Sequence, residues 1–229
     1  MRQTDPPRPA KEVLPTMYDL PSEDPNDPGL PDEFHQFQPQ LLRETFCPPG
    51  YPTDRVFVGT DLNLYYDVHH PQWYKRPDWF GVVGVSRFYQ PQFGQLPELR
   101  LSYVIWQEGV SPFVVVELLS PGTEKEDLGQ MLRTVDQPPS KWQVYEQVLR
   151  IPYYIVFDRY RDILRAFMLQ AGRYVELNLA QPRIWMPCLE LGMGLWQGSY
   201  QGVERLWLRW YDMLDSSIQI LSSENNYDG

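Results

Sequence analysis

The hydrophobic positions of the chain fall into short runs, and the most apolar of them, Val114–Leu119, contains one carboxylate. Short β-branched runs bounded by turn residues are typical of buried strands, and this run is followed by Ser120-Pro121-Gly122. Strand alternation places Val115, Glu117 and Leu119 on one face. An ionised glutamate inside such a strand costs several kcal/mol unless it is protonated, paired or bound to a metal. Glu117 is therefore the first candidate for a functional residue.

Similar patterns predict the other elements. One helix should begin near Asp32–Glu33 and run towards Leu42, and a second, capped by Ser140, should span Lys141–Leu149. In the second helix Lys141 and Tyr145 are four residues apart and share a face. Strands are predicted at 56–59, 62–68, 79–85, 99–106, 151–158, 163–169 and 173–177, the last two joined as a hairpin, with further apolar stretches at 189–196 and 206–211.

Composition divides the chain of 229 residues into three parts. Eight prolines among residues 1–31 predict an extended, irregular arm, because proline fixes φ and removes a hydrogen-bond donor. Residues 32–212 are long enough, and rich enough in apolar side chains, for one folded domain. Residues 213–229 are predicted to form an acidic, polar tail.

Localisation and redox state follow from what the sequence contains. No apolar run reaches the roughly 18 residues of a membrane span, and the start lacks the apolar core of a signal peptide, so we expect a soluble cytoplasmic protein. Cys47 and Cys188 lie far apart without metal-type spacing, and we expect buried, inert thiols.

A net charge of -10 argues against binding of nucleic acid, but residues 70–165 carry 11 basic and 11 acidic groups, so the excess acidity lies towards the ends of the chain.

Three residues form a candidate site. Asp78 stands at a strand entrance, Glu117 lies within a core strand, and Lys141 is on the helix that follows. Hydrolysis of a phosphodiester needs charge neutralised on the phosphate and a water made nucleophilic, which carboxylates with a divalent cation and a nearby ammonium can supply. Asp78 alone could equally be a turn residue or a cap. The adjacent pair His69-His70 is not expected to bind metal, because neighbouring side chains point in opposite directions.

These residues also carry a family resemblance. The ordered set is similar to the Uma-type "putative restriction endonuclease" family of the PD-(D/E)XK nuclease superfamily, over roughly residues 33–212. The motifs that carry it are Arg76-Pro77-Asp78, Val114–Thr123, Asp127-Leu128, Lys141 with Tyr145, and Ile151–Asp158.

The resemblance implies an α/β (α+β) fold with a restriction-endonuclease-like mixed β-sheet flanked by helices, with extra β-hairpins. It implies Mg²⁺ (or Mn²⁺) as cofactor, no organic cofactor, DNA as substrate and Asp78 and Glu117 as metal carboxylates. The lysine of the common E-X-K arrangement is replaced by Leu119, so the resemblance points to Lys141, with Lys125 in reserve. Glu33 is the candidate for a third carboxylate.

Three functions remain open on the sequence. The first is a metal-dependent endonuclease that hydrolyses DNA. The second is a nuclease-fold protein that binds or scaffolds without cutting, which would suit the acidic composition and the displaced lysine. The third is a partner protein that works through the proline-rich arm. A homodimer would suit a nuclease that cuts a duplex, but no stretch of the sequence specifies one.

Overall fold

The computed structural model describes residues 32–89, 96–131, 133–134 and 137–213, together with the single positions 14, 15, 17 and 20. The predicted arm at 1–31 and the predicted tail at 213–229 therefore lie almost wholly outside the described residues, and the proposed domain limits stay a prediction. Within the described residues no helix is long and apolar enough to cross a membrane.

The described elements alternate between strands and short helical segments. The helices are α1 (Glu33–Thr45), α2 (Ile105–Glu108), α3 (Glu124–Asp127) and α4 (Lys141–Gln143), which continues as a π-helical turn over Val144–Val148; Thr53–Arg55 and Pro187–Leu189 are 3-10 turns. The strands are β1 (Val56–Thr60), β2 (Leu64–Tyr65), β3 (Tyr74–Lys75), β4 (Trp79–Val83), β5 (Tyr103–Val104), β6 (Val114–Leu118), β7 (Tyr153–Asp158), β8 (Ile163–Gln170), β9 (Arg173–Glu176), β10 (Arg183–Met186), β11 (Leu191–Tyr200) and β12 (Val203–Tyr211).

A six-stranded mixed sheet organises the molecule, in the order β1-β4-β6-β7-β8-β9. Strands β6 and β7 are parallel, and the other neighbours in this sheet are antiparallel. The parallel pair needs a long crossover connection, and residues 119–152, with α3 and α4, provide it. Two three-stranded sheets, β10-β11-β12 and β3-β2-β5, complete the fold. The predicted mixed α/β architecture is thus confirmed, including the β8–β9 hairpin.

The central strand β6 is buried at all five positions because both faces of the sheet are covered. Val114, Val116 and Leu118 pack into a core that also contains residues of α1 and of the β10-β11-β12 sheet. Val115 packs on the opposite side with Tyr145 and Tyr154. Glu117 lies on this second side, as the alternation of β6 predicts.

Two predicted elements differ in the structure. The strand predicted over 99–106 is limited to Tyr103–Val104, after which the chain turns into α2 and leaves it through Gly109 at φ 74. Arg100 ion-pairs with Glu108 across this turn at 2.7 Å, which holds the segment closed rather than extended. The strand predicted over 62–68 is likewise only two residues long.

The cysteine prediction was wrong as to burial: Cys47 and Cys188 are free, as expected, but both are exposed. Cys47 follows α1 in a loop, and Cys188 lies in the Pro187–Leu189 turn, so neither belongs to an apolar strand or helix face.

Candidate functional site

The antiparallel pairing of β4 with β6 brings Asp78 beside Glu117. Trp79 is paired with Val116, so the residue before β4 lies next to the residue that follows Val116. The backbone N–H of Leu118 donates to Oδ2 of Asp78 at 2.6 Å, and the N–H of Asp78 donates to Oε2 of Glu117 at 3.5 Å. The two predicted carboxylates therefore lie together at one end of the sheet.

Lys141 and Tyr145 both contact the carboxylate of Glu117. The Nζ of Lys141 donates to Oε2 at 2.9 Å, and the hydroxyl of Tyr145 donates to Oε1 at 2.8 Å. Their spacing of four residues puts both side chains on the face of α4 and its π-helical continuation that covers β6. The three residues selected from sequence, Asp78, Glu117 and Lys141, thus lie in one cluster.

Asp127 is a fourth member of the cluster, and sequence reasoning gave it no role. Its carboxylate is fully buried, with Oδ1 2.9 Å from Nζ of Lys141 as an ion pair. The residue ends the one-turn helix α3, in a stretch of four charged residues that resembles a solvated loop. Its place in the motif Asp127-Leu128 was the one indication in the sequence.

Glu126, next to Asp127, holds the backbone of the same lysine. Its Oε1 accepts hydrogen bonds from the backbone N–H of Lys141 at 3.2 Å and from Nζ of Lys75 at 3.1 Å. Its Oε2 accepts a hydrogen bond from Nη2 of Arg133 at 2.9 Å. Burial disfavours the ionised form of Glu126, but the charges of Lys75 and Arg133 outweigh it and lower its pKa. Two consecutive acids on α3 therefore position Lys141: Glu126 accepts a hydrogen bond from its backbone amide, and Asp127 pairs with its side-chain ammonium.

Electrostatics in this cluster favour a positive charge. Burial raises the pKa of Glu117 well above its ordinary value, and the charges of Asp127 and Asp78 raise it further, against the opposing effect of Lys141. Burial disfavours the charged form of Lys141 too, yet Asp127, Glu117 and Asp78 together raise the pKa of Lys141 well above its ordinary value. The single ammonium of Lys141 thus lies among the carboxylates of Asp127, Glu117 and Asp78. The excess negative charge would be balanced by a bound proton or cation.

The donor set fits a hard divalent cation held by few protein ligands. Mg²⁺ commonly binds through one or two carboxylates, with waters and substrate phosphates as its other ligands. Asp78 and Glu117 are the neighbouring carboxylates that could supply the protein's share. Among the described residues no group of three or more His, Cys, Asp or Glu side chains is spaced to hold a metal ion. Glu33, the candidate for a third carboxylate, is exposed on α1.

A histidine from α1 approaches the cluster from the opposite side of the sheet. Nδ1 of His35 lies 2.8 Å from Oδ1 of Asp32, the N-cap of α1, and its Nε2 lies 3.4 Å from the carbonyl oxygen of Leu118. Asp32 also pairs with Arg159. The Leu118 peptide therefore contacts Asp78 through its N–H and His35 through its carbonyl. Sequence reasoning missed His35, which appears there as one polar position on an amphipathic helix.

The remaining candidates lie outside this cluster. Lys125, the reserve lysine, is exposed on α3. His70 pairs with Asp67 at 2.7 Å and stacks on Trp73, and the expectation that the His69-His70 pair binds no metal stays a prediction.

Comparison with known proteins assigns the chain to a family. Residues 28–203 match a family profile described as "Uma2: Putative restriction endonuclease". A crystal structure of "a putative nuclease belonging to DUF820" from Anabaena variabilis is similar with a TM-score of 0.44 and 13% identity, over 71% of this chain and 77% of that one. No curated protein matches the chain.

Proposed function

Because the chain belongs to the Uma2 family, described as "Putative restriction endonuclease", we propose that it is a metal-dependent endonuclease that hydrolyses phosphodiester bonds of DNA. The observation that supports this most directly is the contact of Lys141 with Glu117 beside Asp78, 2.9 Å between Nζ and Oε2. Asp78 and Glu117 would hold Mg²⁺ or Mn²⁺. The bound cation would supply charge neutralisation on the phosphate and a lowered pKa for an attacking water.

The protein side chains have separate roles in this proposal. Lys141, charged in its acidic surroundings, would stabilise negative charge that develops on the phosphate or orient the attacking water. Tyr145 holds one oxygen of Glu117 in place and so leaves the carboxylate a single orientation. Asp127 fixes the ammonium, and Glu126 fixes the helix start that carries it.

One observation favours the alternative, a nuclease-fold protein that binds without cutting. Both oxygens of Glu117 are engaged, one by Tyr145 and one by Lys141, so cation binding would have to compete with the ammonium. In that case Lys141 would serve as a permanent internal counter-charge for Glu117, and the fold would be retained without its chemistry.

Calorimetric titration with Mn²⁺ and a plasmid-nicking assay separate the two functions. We expect saturable binding and Mg²⁺-dependent nicking by the wild type, both lost in Glu117→Gln, which keeps the shape of the side chain. Glu124→Gln is the matched control, because Glu124 is a partly exposed acid on α3 that pairs with the surface residue Arg161. Nicking that survives Glu117→Gln overturns the site assignment, and a wild type that neither binds Mn²⁺ nor nicks DNA favours the scaffold.

A further inference from the structure

A cleft beside α1 carries two arginines that the proposed chemistry does not use. It has a volume of about 340 Å³ and runs along β1, an edge strand of the main sheet. Its lining is largely apolar and includes Arg43, from the last turn of α1, and Arg87, after β4. The residues that line the cleft include Arg43, Arg87, Phe46, Cys47, Tyr51 and Val58.

No described carboxylate neutralises either guanidinium group. Within the described part of the chain neither Arg43 nor Arg87 forms an ion pair, whereas Arg76, Arg159, Arg165 and Arg173 all do. Burial and the like charge of Arg87 both lower the pKa of Arg43. Two like positive charges that line one cleft, in a protein of net charge -10, form a local positive site for an anion.

The contacts of Arg43 within the fold use few of its donors. Its Nη2 donates to the carbonyl of Val58 at 3.0 Å and approaches Oγ1 of Thr60 at 3.5 Å. A guanidinium has five N–H donors, so the edge-strand contact leaves most of them for a ligand. A purely structural role in covering the edge of β1 would not require a second arginine in the lining of the same cleft.

The cleft lies on the α1 side of the main sheet, where Val58 and Phe46 pack, whereas Glu117 contacts Tyr145 on the other side, and edge strand β1 connects the two regions. Thr60, which Arg43 approaches, is the residue of β1 paired with Trp79, and Asp78 immediately precedes Trp79. A strand of nucleic acid with one phosphate at Asp78 and Glu117 would therefore reach Arg43 and Arg87 by passing around the edge of the sheet that β1 forms. Arginine is well suited to a phosphodiester, because its planar fork matches the phosphate oxygens.

We propose that the cleft between Arg43 and Arg87 binds the sugar–phosphate backbone of the nucleic acid on one side of the scissile bond. The phosphate binds to the two guanidinium groups, and the apolar face of the sugar packs on the apolar part of the lining near Tyr51. This inference rests on the proposed nuclease function for its choice of ligand.

Fluorescence anisotropy with a labelled DNA duplex in EDTA tests the proposal without cleavage. We expect Arg43→Gln/Arg87→Gln to weaken binding by about tenfold or more and to reduce the salt slope of log K by about two, one for each lost phosphate contact. Arg165→Gln/Arg173→Gln is the matched control: it changes the net charge equally but removes arginines already paired with Glu176 and Glu146. Equal losses in both double variants, or no loss in either, overturn the proposal.

The two exposed cysteines provide an independent footprint. Cys47 lines the cleft and Cys188 does not, so saturating duplex DNA should slow alkylation of Cys47 and leave Cys188 unchanged. Inorganic phosphate alone is the second probe. If it protects Cys47 while DNA does not, the cleft is a site for the free ion and the nucleic-acid assignment is wrong.

Failure of the cleft and failure of the nuclease are distinguishable. If the wild type nicks plasmid but Arg43→Gln/Arg87→Gln binds DNA as tightly as the wild type, the cleft proposal alone is overturned. A wild type that never nicks, but loses DNA affinity in Arg43→Gln/Arg87→Gln, overturns the nuclease and retains the cleft as a nucleic-acid surface.

Discussion

The ammonium of Lys141 lies 2.9 Å from Oε2 of Glu117, although the two residues are 24 positions apart and belong to different layers of the fold. Glu117 is fully buried, and the side chain of Lys141 is only 16% exposed. A buried charge whose partner is removed is strongly destabilising, so this contact ties the candidate chemistry to the stability of the domain.

Lys141→Met should therefore lower both activity and stability. The methionine keeps the apolar stem but leaves Glu117 and Asp127 facing each other without a counter-charge, at a cost of about 3 kcal/mol in the free energy of unfolding. Plasmid nicking below the melting temperature, together with urea unfolding, measures the two effects. Lys125→Met is the control, because that exposed side chain should change stability by no more than about 0.5 kcal/mol. Loss of nicking in Lys125→Met alone would transfer the role to the reserve lysine.

Tyr145→Phe tests whether the orientation of Glu117 matters for cation binding. Removal of the hydroxyl leaves Oε1 of a buried carboxylate without its donor, which should cost about 1–3 kcal/mol of stability and weaken Mn²⁺ binding. Tyr174→Phe is matched in chemistry, since Tyr174 donates instead to the carbonyl of Ile151. Calorimetry should show weaker Mn²⁺ binding for Tyr145→Phe alone. Equal Mn²⁺ affinity in the two variants would make Tyr145 a packing residue only.

Glu126→Gln addresses the anchoring of the helix start that carries Lys141. A hydrogen bond to a charged acceptor contributes about 1.5–3 kcal/mol, so its weakening should speed hydrogen exchange of the Lys141 amide by about tenfold or more. This readout by NMR is independent of nuclease activity. Glu124→Gln, on the same helix, should leave exchange at Lys141 unchanged, and an equal acceleration in both variants would indicate general loosening of α3.

The fold was predictable where a local pattern carries its own physical cause. The β-branched run of β6 and the hairpin of β8 and β9 are specified by residues close in sequence, and the structure confirms both. The segment 99–106 misled because its apolar side chains alternate like those of a strand, whereas Trp106 is in fact 44% exposed and the Arg100–Glu108 ion pair closes a turn. That pair depends on tertiary contacts, which no periodicity records.

The residues of the candidate site likewise divide into those that the sequence predicted and one that it did not. Glu117 was predictable because a carboxylate in an apolar strand needs a partner, and the helix spacing of Lys141 and Tyr145 supplies two. Asp127 was not, because its burial arises from packing of the crossover on the sheet, where the hydroxyl of Tyr154 donates to its backbone carbonyl at 2.8 Å. In sequence it is one of several acids in a polar stretch.

The pH dependence of stability should report on His35. Burial disfavours its charged form, but the hydrogen bond with Asp32 and the charge of Asp78 outweigh this and raise the pKa of His35 above its ordinary value. The folded protein then binds more protons than the unfolded chain between the ordinary pKa, about 6.5, and the raised one. The stabilisation by His35 is fully present below this window and is lost as pH rises through it.

As pH rises through neutrality, we therefore expect the melting temperature of the wild type to fall relative to that of His35→Gln, whose side chain does not titrate. Thermal melts of both proteins at a series of pH values measure the difference, with His70→Gln as the control, because His70 is half exposed in a surface pair with Asp67. The contribution of Asp32 has the opposite sign. Burial raises its pKa, but the hydrogen bonds from His35 and Arg159 lower it overall, so its stabilisation is lost at acid pH. A difference between the wild type and His35→Gln that stays constant across neutral pH would show that His35 remains in one protonation state there, and would contradict the raised pKa.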